Sequence, residues 1–147
     1  MTARTGGTSS RRRARELAFR VIYQADLLGD PVADAWTRAR ADEEELGDDP
    51  RELVDDIVGA LAQRGAEIDA LLVEAAEHWE LARLAATDRA VLRSAIAELL
   101  ARPGMPVRVV LDEAITIARK FGSEESGRFV NGVLDKIARL LRPAELS

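Results

Sequence analysis

At 147 residues the chain is long enough for one domain with a core of its own, and its 47% apolar content is dominated by alanine and leucine, both strong helix formers. It has no cysteine, which excludes disulfides, thiolate metal sites and cysteine nucleophiles together, and no apolar run approaches the roughly 18 residues needed to span a bilayer. The net charge of −5 conceals a split: residues 1–20 hold six arginines against one acid, whereas residues 26–56 hold twelve acids against three arginines. The expectation is a soluble, cytoplasmic, all-α protein with a basic arm and a separate acidic face.

Residues 1–10, small and polar, predict a disordered tail ahead of a single helical domain over 11–147. Helix 1 is expected from a Ser9 or Ser10 cap to Leu28, because Ala14, Leu17, Ala18, Val21, Ile22, Ala25 and Leu28 form one stripe at helical spacing. Gly29 stops it. Asp30-Pro31 then starts a second helix, expected to carry the acidic run Asp42–Glu45 and to end near Gly47. Asp49-Pro50 repeats that signal, and Leu53, Val54, Ile57, Val58, Leu61, Ile68, Leu72 and Ala76 predict a long third helix bent near Gly65. A short helix is expected at Trp79–Leu84. Thr87 or Asp88 would cap the next, with Val91, Leu92, Ala95, Ile96, Leu99 and Leu100 facing the core. After the break at Arg102–Pro106, the stripe from Val107 to Phe121 predicts a helix ended by Gly122. Residues 123–126 read as a polar turn before a last helix carrying Val130, Val133, Leu134, Ile137 and Leu141. The count is about seven helices in a compact bundle.

Arg11, Arg12, Arg13 and Arg15 cluster at the start of helix 1, where the macrodipole disfavours cations. A phosphate clamp explains that placement; a solvated basic end is the alternative. Phe129 either packs with Val133 in the core, which spacing alone favours, or points outward beside Arg128, where an unpaired base could stack on it. Gly132 inside a helical pattern suggests close approach of a neighbouring helix. Tyr23 falls off the stripe of helix 1 and is a candidate partner contact. Glu74 and His78 lie one helical turn apart, but a single histidine without cysteine makes no metal site. The acidic run reads as a solvated face. With no Ser-His-Asp set, P-loop or dinucleotide fingerprint, no catalytic or cofactor role is expected.

Four blocks carry a more specific signal. These are Arg11-Arg12-Arg13-Ala14-Arg15-Glu16-Leu17-Ala18 with Tyr23, Asp88-Arg89-Ala90-Val91-Leu92-Arg93, Leu111–Ile115 with Ala118–Gly122, and Phe129-Val130-Asn131-Gly132-Val133-Leu134-Asp135-Lys136. In this order they resemble the NusB family of bacterial transcription antitermination factors, while residues 30–80 match only as a helical pattern. The resemblance implies two three-helix bundles with an extra helix. It implies binding of single-stranded boxA RNA in ribosomal RNA transcripts together with NusE, a small-subunit ribosomal protein, in the complex that makes RNA polymerase pass terminators. Arg11, Arg12, Arg13, Arg15, Arg128 and Phe129 then fall on the RNA surface, and Tyr23, Asp88 and Glu125 near the NusE contact. Some members self-associate, so a homodimer is an implied partner state. NusB-like modules also occur fused to ribosomal RNA methyltransferases, which makes an accessory or dimerisation domain the alternative.

Overall fold

The computed structural model describes residues 6–77 and 79–146, with side chains from Ser10 onward. Seven α-helices, with no strand among these residues, follow one another: α1 (Gly6–Leu28), α2 (Val32–Arg40), α3 (Asp48–Ala75), α4 (Ala86–Ala101), α5 (Val107–Phe121), α6 (Glu124–Leu141) and α7 (Pro143–Leu146). None is long and apolar enough to cross a membrane. His78 and residues 1–5 of the expected tail lie outside the described residues. Residues 6–10, also assigned to that tail, are helical, so α1 begins before the expected serine cap.

α4 is the axis of the molecule. Ala90, Val91, Leu92, Ala95, Ile96, Ala97 and Leu99 are all buried, covering every side of the helix. It packs on α1 and α3 on one side and on α5 and α6 on the other, which gives the two three-helix groups that the resemblance implies. Leu53, Ile57, Ile68, Leu72, Leu92, Ile96, Leu134 and Ile137, all fully buried, fill the space between these helices.

Several elements depart from expectation for identifiable reasons. α2 ends at Arg40, short of the acidic run, which lies in a turn and a single 3₁₀ turn at Glu44–Leu46. Arg38 and Arg40 in its last turn suit the negative helix end, and four successive acids there would not. Buried Trp36 anchors α2, its indole Nε1 donating to Asp55 Oδ1 at 2.6 Å. α3 bends at Arg64 (φ −120°, ψ 27°), next to the expected glycine. The expected helix at 79–84 is reduced to the 3₁₀ turn Leu81–Arg83. α6 starts inside the expected polar turn, because Ser123 Oγ accepts from Ser126 N at 3.1 Å and caps it. Gly122 permits the sharp entry: a Cβ there would lie 2.8 Å from the Ala118 carbonyl oxygen and 2.7 Å from Ser126 Oγ.

The C-terminus clips the α4–α5 junction. Arg142 donates to the carbonyl oxygens of Leu99, Arg102 and Met105, which terminate α4 and its turn. Glu145 accepts from Val107 N at 2.7 Å, satisfying a first-turn N–H of α5 that its Pro106 cap cannot reach.

Candidate nucleic-acid interface

The four arginines that open α1 have separate fates. Arg15 turns inward. Only 6% exposed, it donates to both oxygens of Glu98 on α4, itself 2% exposed, at 2.7 to 3.1 Å. It therefore does not lie on the RNA surface expected for it: three positions before buried Ala18, it shares that residue's core-facing stripe, where Glu98 of α4 receives it. Arg12 spans to α5, with Nε and Nη2 donating to Glu113 at 3.2 and 3.1 Å, and this pairing raises the guanidinium pKa further. Arg11 is a loose 3.8 Å from Asp49. Arg13 is exposed, with no ion pair or hydrogen bond among the described residues.

A ladder of contacts connects this basic end to the other end of α1. After Arg12–Glu113 come Glu16–Lys120 at 2.9 Å, Arg20 over the Phe121 ring at 5.5 Å, and Phe19 against Phe121 at 5.0 Å. Tyr23, half-buried, continues the aromatic row at 5.9 Å from Phe19. One turn later Asp26 holds Arg89 at 2.7 Å and Arg93 at 3.4 Å, and Arg93 also grips Asp69 on α3. This fixes the start of α4 at the level of Asp26, about 20 Å along α1 from Arg12.

A cleft opens at that level. Trp79, Arg83, Leu84, Asp88, Glu125, Ser126 and Phe129 line about 480 Å³ between the start of α4, the start of α6 and the segment after α3. Asp88 is not the cap of α4, since the helix begins at Ala86 with Ala85 before it. Instead Asp88 sits in the first turn, with a buried Oδ1 that has no hydrogen-bond partner. Burial pushes its carboxyl above the ordinary carboxylate range, and the Ser126 hydroxyl opposes this only in part. An unsatisfied acceptor at the wall of a cleft is a cost to the fold and a ready site for an incoming donor.

Phe129 is half-buried and belongs to two grooves at once. The second, about 240 Å³, runs on its far side between Ala76, Trp79, Arg128, Gly132 and Lys136. Arg128 beside it is exposed and has no ion pair or hydrogen bond among the described residues. Gly132 does not serve close helix packing: a Cβ there would meet nothing within 4 Å, and its missing side chain leaves the groove open. Trp79, which carries no site signal in the sequence, is 53% exposed and meets Phe129 in an edge-to-face contact at 6.4 Å. The structure thus brings Asp88, Glu125, Arg128 and Phe129 together, and leaves Arg11, Arg12 and Arg13 at the far end of α1.

A family model described as the NusB family matches residues 12–139, almost the whole of this framework. The chain belongs to the NusB family. It is 43% identical to the transcription antitermination protein NusB of Anaeromyxobacter dehalogenans, over 93% of this chain and 96% of that one. To the NusB of Koribacter versatilis it is 42% identical, over 96% and 94%. Among solved structures, NusB of T. maritima superposes with a TM-score of 0.75 at 35% identity, covering 88% of this chain and 90% of that one. A structure of antitermination factors NusB and NusE in complex with double-stranded RNA gives 0.80 at 27% identity, over 90% and 98%. The chain is thus an RNA-binding antitermination adaptor of the NusB type.

Proposed function

We propose that this NusB-family chain acts in the cytoplasm, binds the single-stranded boxA element of ribosomal RNA transcripts jointly with NusE, and so takes part in the RNA polymerase antitermination complex. The observation that carries this reading is the unpaired Arg128 beside the half-buried Phe129 at the junction of two grooves. A guanidinium and a ring so placed supply phosphate attraction and base stacking from adjacent positions of one helix. Arg13 and Arg11 add sequence-independent attraction for the backbone farther along, with Arg12 sharing its charge with Glu113. NusE docks on the cleft rim at Asp88 and Glu125 and extends to Tyr23 in the aromatic row of α1. This rim is acidic and aromatic and suits a basic protein surface better than it suits phosphates.

Fluorescence anisotropy of labelled boxA RNA tests the proposal. Binding is expected to be tightest with NusE present, to weaken as salt rises, and to favour boxA over a scrambled strand. Equal affinity for the scrambled strand, or for a duplex of the same sequence, would overturn the claim of single-stranded boxA recognition.

A further inference from the structure

Trp79 and Phe129 meet at 74° between ring planes, with centroids 6.4 Å apart. In such an edge-to-face contact one ring offers its edge and the other a single face, and 53% of Trp79 remains exposed. The ring is not on a loose tail: Trp79 N donates to the Ala76 carbonyl at 2.8 Å, and the 3₁₀ turn Leu81–Arg83 follows directly. Both rings line both grooves, and the unpaired Arg128 shares the second groove with them. The amino group of Lys136, at 4.0 Å from Glu77, stands in the same groove.

We infer that Trp79 is a second base-stacking ring, and that Trp79 and Phe129 together hold two unpaired bases of a single strand splayed apart. The inference rests on the RNA-binding reading above and deepens it. The edge-to-face contact occupies at most one face of either ring, and both rings line both grooves, where a base has access to them. Because the two planes are nearly perpendicular, bases lying flat on both cannot remain stacked on each other. A duplex, whose neighbouring bases are parallel, cannot satisfy both rings. The pair therefore selects strands that are already unpaired and cheap to unstack. Arg128 is placed to neutralise backbone phosphate beside the turn that such splaying imposes.

The two tryptophans of the chain make this testable without altering the core. Trp36 is 4% exposed and tied to Asp55, so it reports little of the solvent side, whereas Trp79 faces the grooves. The full chain with NusE is titrated with unlabelled boxA RNA while tryptophan emission is followed, with the Trp79→Phe variant as the blank for Trp36 and any NusE signal. In parallel, anisotropy of labelled RNA records binding itself. Emission from Trp79 is expected to be quenched with the same midpoint as the anisotropy change. Trp79→Ala should bind about tenfold more weakly, and Trp79→Phe should retain most of the affinity.

RNA binding with unchanged Trp79 emission and unchanged affinity in Trp79→Ala would overturn the inference and leave the proposed function standing. A change of emission on adding NusE alone, with none on adding RNA, would make the ring a protein contact and also overturn it. Absence of RNA binding to the unaltered chain and NusE would defeat the proposed function, and this inference with it.

Discussion

Arg15 of α1 and Glu98 of α4 form a two-oxygen ion pair buried in the contact between the two helical groups, with Nη2 and Oε2 2.7 Å apart. Neither charge has access to solvent or ligand, so each depends on the other. Removing one partner of such a pair leaves an uncompensated charge in the interior. Arg15→Met is expected to lower stability by about 3–5 kcal/mol, and Arg15→Met with Glu98→Leu to recover most of it. Urea unfolding of the two variants measures this. A stable Arg15→Met protein with weakened RNA binding would return Arg15 to the nucleic-acid surface.

Arg13 and Arg128 are the cations free to meet phosphate at the two ends of the proposed surface. Arg13→Ala with Arg128→Ala should lower the slope of log affinity against log salt by about 1.4, roughly 0.7 for each lost contact on a single strand. Arg12→Ala should change that slope less and stability more, since Glu113 loses its partner. Anisotropy at four or five salt concentrations separates these outcomes, and an unchanged slope in the double variant would remove both arginines from the interface.

Phe129→Ala is expected to cost about 1–3 kcal/mol of RNA affinity if a base lies on the ring. Circular dichroism melting on the same samples shows whether the loss belongs to binding. Intact affinity in a chain with a much lower Tm would place the ring in the core alone.

Asp88 makes an opposite prediction, for stability against pH. Its carboxyl ionises less readily in the fold than at the ordinary 3.8, because burial disfavours the charge. Below 3.8 it is neutral in both the folded and the unfolded chain, and no penalty exists. As pH rises from there the unfolded chain loses its proton first, and the fold weakens until the folded carboxyl is also ionised. Asp88→Asn should therefore be more stable than the parent at pH 7, with the gain shrinking as the pH falls toward 3.8. Urea midpoints along a pH series test the sign; a less stable Asn variant at pH 7 would show that the charge is satisfied.

Gly132→Ala should raise stability by up to about 1 kcal/mol, since alanine is the better helix former and its Cβ meets no atom within 4 Å. Denaturant unfolding checks this. A loss of stability would reveal a close contact at that position.

The helices that bury one clear stripe were legible from spacing, as with α1, α5 and α6, because a 3.6-residue period needs no knowledge of neighbours. Segments decided by charge against helix ends are not legible from periodicity: the acids after Arg40 extend a pattern that the macrodipole ends, and Ser123, polar like a turn residue, is followed by the acids of a capped helix start. The inward turn of Arg15 is not legible locally, because an arginine run reads as one basic patch and its partner Glu98 lies 83 residues away. Trp79 gave no periodic signal at all. Its significance comes from Phe129, which only the packing of α6 against the end of α3 brings into contact.

The ladder along α1 also acts as a ruler. It holds the arginines and the rings at a fixed reach, so on the RNA surface proposed above an oligonucleotide too short to bridge that gap would engage one end or the other, not both. Lengthening the strand past that point would join two weak attachments into one, and affinity would then climb in a step, because the second attachment forms within a complex already made.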